Sequence, residues 1–180
     1  MIRKLVAALG IGALLSACAS TPPTIPPVAS VDLPRFMGDW YVIAQIPTYL
    51  ERKAFDSVES YRIDDEGKIR TTFRYRNGSA DAPMKTMEPV GRVVPGTNNA
   101  VWEMQFVWPI QAEYVIVDLA PDYSRTIVGR SKRDYVWLMS RQPSLPAPEL
   151  AAAIQKIREL GYDTTKLRMV PQSTAAKATP

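Results

Sequence analysis

Few residues in this chain are equipped for covalent chemistry. It contains no histidine in 180 residues. Ser-His-Asp triads, imidazole bases and histidine metal sites are therefore absent from its repertoire. One cysteine, Cys18, is present, so neither a disulfide nor a thiolate cluster can form within the chain. Carboxylates and lysines remain as potential acids and bases without the partners that usually accompany them. Two carboxylates, Glu59 and Asp118, fall inside strand-like segments where an inward orientation would bury a charge, and alternation alone does not fix the facing of either. The sequence calls for no cofactor and no metal, and it points to a binding protein rather than an enzyme.

Cys18 has a distinctive setting. Arg3 and Lys4 precede an apolar run from Leu5 to Leu15, too short for a bilayer core of about 20 residues and suited to a secretory signal. "LSAC", Leu15 to Cys18, resembles a bacterial lipoprotein lipobox. That resemblance implies cleavage before Cys18, a diacylglycerol on its thiol with chains of the palmitate kind, and anchoring to a membrane. Ala19 and Ser20, in place of an aspartate, resemble outer-membrane sorting, with the domain facing the periplasm. Removal of residues 1–17 takes away Arg3 and Lys4 and lowers the formal charge from +4 to +2, which gives no argument for nucleic acid.

The elements that must position any site come next. Residues 18–34 carry the lipidated cysteine and a tether holding five of the sixteen prolines. Its sixteen residues after Cys18 would reach roughly 50 Å at about 3.1 Å per residue if extended as polyproline. Eight strand-like segments follow: 39–47, 56–64, 68–77, 85–94, 100–107, 113–119, 125–129 and 134–141. Short turn-rich connections such as "DDEGK", "PGTNN" and "APDYS" make consecutive strands antiparallel neighbours. The expected fold is all-β: an eight-stranded antiparallel up-and-down barrel spanning residues 35–171, with one C-terminal helix packed on its outside. "APELAAAIQKIRELG" supplies that helix, with Leu150, Ala153, Ile154, Ile157 and Leu160 available for its apolar stripe. "KLRMV" is a candidate for a short final strand, and residues 172–180 read as a disordered tail.

Alternation assigns an inner face. It holds Val42, Ala44, Phe73, Tyr75, Met87, Trp102, Met104, Phe106, Tyr114, Ile116, Tyr135 and Trp137. Such an aromatic wall with methionine as filler suits an acyl chain, at about 0.8 kcal/mol per buried methylene. The same pattern is also what a solid core would present, and the residues alone leave cavity and filled core about even. If Trp40 marks a closed end, the connections at the other end bring Arg52, Lys53, Arg76, Lys85, Arg130, Lys132 and Arg133 to the mouth, beside Trp108. A basic rim over an apolar well would select an anionic amphiphile; solubilising charge is the equally weighted alternative.

"MGDWYVIA" and "RDYVWLMSRQP" are similar to the Gly-x-Trp motif and the closing strand of lipocalins, and the bacterial outer-membrane lipocalin group is the nearest resemblance. "VDLAPDY" occupies the place of a family loop motif but lacks its threonine. The resemblance implies that Gly38, Trp40 and Arg141 close one end of the barrel, with the guanidinium over the indole. It favours a cavity, and it suggests a fatty acid or lysophospholipid as ligand. Three readings stay in play: an anchored lipid binder, a structural or assembly lipoprotein with a filled barrel, and a lipid-modifying enzyme on the same scaffold. The sequence is compatible with a monomer and with a homodimer.

Overall fold

The computed structural model describes residues 25–173, apart from the side chain of Val107. Cys18, the signal segment and residues 174–180 lie outside the described residues.

A single sheet closes on itself. Its strands are β1 (Gly38–Ile46), β2 (Ala54–Ile63), β3 (Ile69–Asn77), β4 (Met84–Met87), β5 (Val90–Val93), β6 (Val101–Val107), β7 (Ile110–Leu119), β8 (Arg125–Gly129), β9 (Val136–Ser140) and β10 (Arg168–Met169). All pairings are antiparallel. The order runs β1-β2-β3-β5-β6-β7-β8-β9, and β9 pairs back to β1. The barrel therefore has eight staves. The segment expected as one strand over 85–94 is broken at Glu88–Pro89 into β4 and β5, both of which pair with β3. Proline has no N–H for the ladder, and the Pro89 carbonyl instead accepts from the Thr71 N–H at 3.1 Å.

The C-terminal segment completes a seam. β1 pairs with β2 only from Gly38 to Tyr41. Beyond that a bulge interrupts β1 between Val42 and Ala44, and β10 takes over as its neighbour. The Ile43 carbonyl accepts from Val170 N at 2.9 Å, and Gln172 Nε2 donates to the carbonyls of Val42 and Ser57 at 2.9 and 3.1 Å. Gln172 is buried, so the tail expected from residue 172 does not include its first two residues: Gln172 and Ser173 belong to the barrel. The Gln172 amide thus satisfies carbonyls at the irregularities of β1 and β2, and the Ser173 N–H donates to the Asp56 carboxylate at 2.6 Å.

Two apolar layers result. Inside the barrel lie Trp40, Val42, Tyr61, Ile69, Phe73, Tyr75, Trp102, Met104, Tyr114, Ile116, Val128, Trp137 and Met139. Outside, helix α2 (Ala147–Glu159; the preceding short helix α1 is Leu33–Phe36) buries Ala153 and Ile157 against Ile43, Ile46, Ile127 and Leu138. Ala44, expected inward, is in this outer layer, because the β1 bulge turns it to the helix side.

The tether also folds further back than expected. Ile25 and Val31 are buried. Val28 N donates to the Ile116 carbonyl and Val31 N to that of Asn98, both at 2.9 Å. Residues 25–34 are thus laid along the barrel wall by apolar burial and backbone pairing. The part of the tether before Ile25 lies outside the described residues.

Candidate functional site

The floor is built first. α1 begins at Asp32, whose carboxylate accepts from Arg35 N at 3.2 Å, and it delivers Phe36 under the barrel. Gly38 then turns with φ +93°, in the left-handed region that favours glycine. Trp40 is fully buried, with its indole N–H donating to the Phe36 carbonyl at 2.8 Å. The Arg141 guanidinium lies 3.8 Å from the indole centroid. It donates to the carbonyls of Asp39, Arg35, Phe36 and Met37 at 2.8, 2.8, 3.0 and 2.8 Å. Cation–π attraction and four carbonyl acceptors thereby fix one cation beneath the barrel. Above them Phe36 meets Trp102 edge-on at 5.4 Å, and Trp102 stacks on Tyr114 at 4.7 Å.

Above this plug the barrel is hollow. A cavity of about 330 Å³ is lined by Thr48, Tyr49, Leu50, Glu51, Glu59, Thr71, Phe73, Met87, Pro89, Met104, Phe106, Ala112, Tyr114, Arg130, Tyr135 and Trp137. It lies in the size range of ligand pockets and is walled mostly by apolar groups. Seven of the twelve inner-face residues named from alternation line it: Phe73, Met87, Met104, Phe106, Tyr114, Tyr135 and Trp137. Val42, Tyr75, Trp102 and Ile116 point inward but belong to the packed interior rather than the cavity wall. Tyr75, for instance, stacks on Phe73 at 4.9 Å. Ala44 is on the far side of the sheet.

Of the cations expected at the rim, Arg130 alone lines the cavity. It lies 3.4 Å from Asp134 and 5.2 Å from the Tyr135 ring centroid. Arg133 turns outward: its Nε donates to the Leu160 carbonyl at 2.7 Å, at the negative end of α2. Arg76 pairs with Asp56 at 3.2 Å, away from the cavity. Arg52, Lys53, Lys85 and Lys132 are exposed. Apolar side chains are more prominent at this end. Trp108, 81 % exposed, tops the β6–β7 hairpin, with Ile110, Tyr49, Leu50 and Phe106 also exposed.

Sequence reasoning left the facing of Glu59 open and gave Glu51 no place in the cavity wall. Glu59 is opposite Trp40 and Phe73 in the ladder and faces inward. It is half-buried and lines the cavity. Its Oε2 accepts from the Tyr61 hydroxyl, which lies 2.8 Å from the hydroxyl of Tyr114. Burial raises its pKa to about 7, opposed by the Tyr61 hydrogen bond and reinforced by the charge of Glu51. Burial likewise pushes Tyr61 and Tyr114 well above the usual phenol range, so both stay protonated as donors. Glu51 comes from the turn Tyr49–Glu51; its carboxylate accepts from Thr48 N at 3.1 Å and Trp137 Nε1 at 3.0 Å. The signal for Glu59 was its two-residue spacing from Tyr61 on an alternating strand; a second bulge lay between it and the strand start. Asp118 faces out. A bulge between Ile116 and Asp118 sets it opposite outward Ile127, and it pairs with Arg125 at 2.8 Å.

A closed antiparallel barrel, stoppered by an arginine-capped tryptophan and open at the other end onto an apolar well, defines a cup-shaped β-barrel with room for a small-molecule guest. Residues 31–172 match the lipocalin-like domain, and the chain belongs to the lipocalin family. Among its relatives are the outer membrane lipoprotein Blc of Vibrio cholerae, 28 % identical over 88 % of this chain and 93 % of that one. Blc of Escherichia coli K12 is 26 % identical over 95 % and 97 %. Insecticyanin from the tobacco hornworm has the same fold, with a TM-score of 0.65 at 20 % identity, covering 86 % of this chain and 87 % of that one. Proteins of this family are generally binding and transport proteins.

Proposed function

We propose that this protein is an outer-membrane-anchored lipocalin of a Gram-negative envelope that binds amphipathic lipids, fatty acids or lysophospholipids, and stores or carries them. The observation that carries this reading is the open apolar cavity above the Trp40 plug. An acyl chain entering it would leave water for contact with Phe73, Met87, Met104, Phe106 and Trp137, and each buried methylene contributes about 0.8 kcal/mol. Arg130 is placed to meet an anionic head group where the chain enters. The binding step needs no bond to form or break.

Anchoring at Cys18 fits the lipobox and the names of the Blc relatives. It also gives a sense to the exposed apolar rim. Ile25 packs beside Gly129 at the mouth-side end of β8: a β-carbon built on Gly129 would lie 3.2 Å from Ile25 Cδ1. Six residues lie between Cys18 and Ile25, and the seven steps from one to the other reach at most about 25 Å. A lipid anchor on so short a lead holds the mouth, with Trp108 and Ile110, near the bilayer from which a lipid would be taken.

The decisive experiment is lipid extraction and mass spectrometry of purified protein, with titration of a fluorescent fatty acid. Copurified amphiphiles and saturable one-to-one binding, lost in Met104→Trp, are expected. A protein that neither retains nor binds any amphiphile would favour the filled-barrel alternative, a structural lipoprotein acting through its surface.

A further inference from the structure

The cavity carries more negative charge than an acyl-chain well requires. Glu59 and Glu51 both line it, on walls that are otherwise largely apolar. Neither forms an ion pair among the described residues. Glu51 is held by neutral donors, the Thr48 backbone and the Trp137 indole. Glu59 receives one hydrogen bond, from Tyr61 to Oε2; its Oε1 has no partner among the described residues. Thr71 gives a separate sign of an unfilled polar position. It lines the same cavity from the inward face of β3, opposite Tyr61 in the ladder, and is 3 % exposed. Its hydroxyl has no hydrogen-bond partner among the described residues, as is also the case for Gln45 Oε1 and Ser57 Oγ. Buried polar groups are rarely left so, and buried carboxylates without a cation are rarer still.

We propose that Glu59, with the Thr71 hydroxyl beside it and Glu51 above it, is a recognition site for a protonated amine carried by the inserted end of an amphipathic ligand. This rests on the reading that the cavity admits amphiphiles. An ammonium brings several donors and one positive charge, matching a free carboxylate oxygen, an unpaired hydroxyl and a second carboxylate. Aromatic faces are at hand, since Phe73, Tyr114 and Trp137 line the same space. An inserted carboxylate would instead meet two like charges, so a fatty acid must enter tail first. An alkyl amine can enter head first, with its chain among the exposed Tyr49, Leu50 and Phe106.

The groups facing Glu59 are Tyr61 on its own strand, Tyr114 on β7 and Glu51 on the preceding turn, with Arg130 the cation of the cavity lining. The tyrosines remain neutral throughout the usable pH range. Amine binding should accordingly strengthen as pH rises through about 7, where Glu59 ionises.

The test compares decylamine, decanol and decanoate, of equal chain length, by calorimetric titration of the full chain and its Glu59→Gln variant. At pH 8.5 decylamine should bind at least about tenfold tighter than decanol, a ratio expected of a charge-assisted contact. The advantage should shrink at pH 5.5 and vanish in Glu59→Gln. A native circular-dichroism spectrum and a cooperative urea transition of Glu59→Gln show separately that the variant barrel is intact. Equal binding of amine and alcohol by the wild type overturns the proposal while leaving the amphiphile reading in place. So does an amine preference that survives Glu59→Gln. Failure of all three ligands to bind the wild type overturns both.

Discussion

The inward carboxylate of Glu59 has a thermodynamic signature independent of any ligand. Its pKa moves from 4.5 to about 7 because burial penalises the charged form. At about 1.4 kcal/mol per pH unit the full shift corresponds to about 3 kcal/mol, and because Glu59 keeps part of its surface accessible, solvent screening reduces the expected effect to about 2 kcal/mol. The sign follows from proton counts. Between these two pKa values the folded state holds a proton that the unfolded state has lost, so stability falls as pH rises. The penalty is absent below pH 4.5 and complete above about 7. Glu59→Gln keeps the shape and removes the titration. Urea unfolding of both proteins from pH 4.5 to 8.5 should show the variant gaining on the wild type by about 2 kcal/mol across that range, most of it before pH 7.5. Comparing the two at each pH cancels the other titrating groups. Parallel stability curves would mean that Glu59 is solvated like a surface carboxylate, and the inward placement would be refuted.

Arg141→Lys should destabilise the barrel by about 2 kcal/mol, because an ammonium cannot serve four carbonyls while covering Trp40; denaturant midpoints would measure it. Gly38→Ala forces a β-carbon onto φ +93° and should cost about 1–2 kcal/mol, read in the same assay. Gln172→Ala leaves the Val42 and Ser57 carbonyls without its amide donor and should cost about 1–3 kcal/mol. Phe106→Glu should weaken fatty-acid binding about tenfold with little effect on folding, since Phe106 is 48 % exposed at the mouth; Trp102→Glu, at the packed floor, should prevent folding instead.

Much of this architecture was legible from period-two alternation, because one face of every stave packs inside the barrel. The reading of Phe73, Trp102, Met104 and Tyr114 as inward follows directly from their spacing. It failed where a single extra residue reverses the facing. Ala44 and Asp118 each follow a bulge, and both point outward where strict counting turns them in. Bulges leave little trace in one sequence, since they are set by what the neighbouring strand and tail require. The β1 bulge exists alongside the arrival of β10 and Gln172, more than a hundred residues later. The tether was misjudged for a related reason. Proline content speaks for extension, but Ile25, Val28 and Val31 carry the apolar spacing that pins an extended chain to a wall. The rim was legible in charge but not in direction: Arg133 serves the helix end and Arg76 an aspartate.

The division of the interior into plug and well follows from where the large rings fall. Phe36, Trp40, Trp102, Tyr61 and Tyr114 meet within one half of the barrel, with centroid separations of 4.7 to 6.2 Å between neighbours. An eight-stave barrel is just wide enough for side chains to fill or for one small guest. Five rings fill the lower half. The upper half is ringed by Phe73, Phe106, Tyr135 and Trp137 together with Met87, Met104, Ala112 and Pro89, and the space between them stays open. The boundary between the halves is polar, because Tyr61 and Tyr114 turn their hydroxyls to each other and Tyr61 to Glu59. A solid core would have no reason to keep a carboxylate at that level, where an apolar residue of similar size would pack at lower cost. The carboxylate, the threonine hydroxyl and the hollow above them are the features that the proposed occupant with a polar far end would engage together.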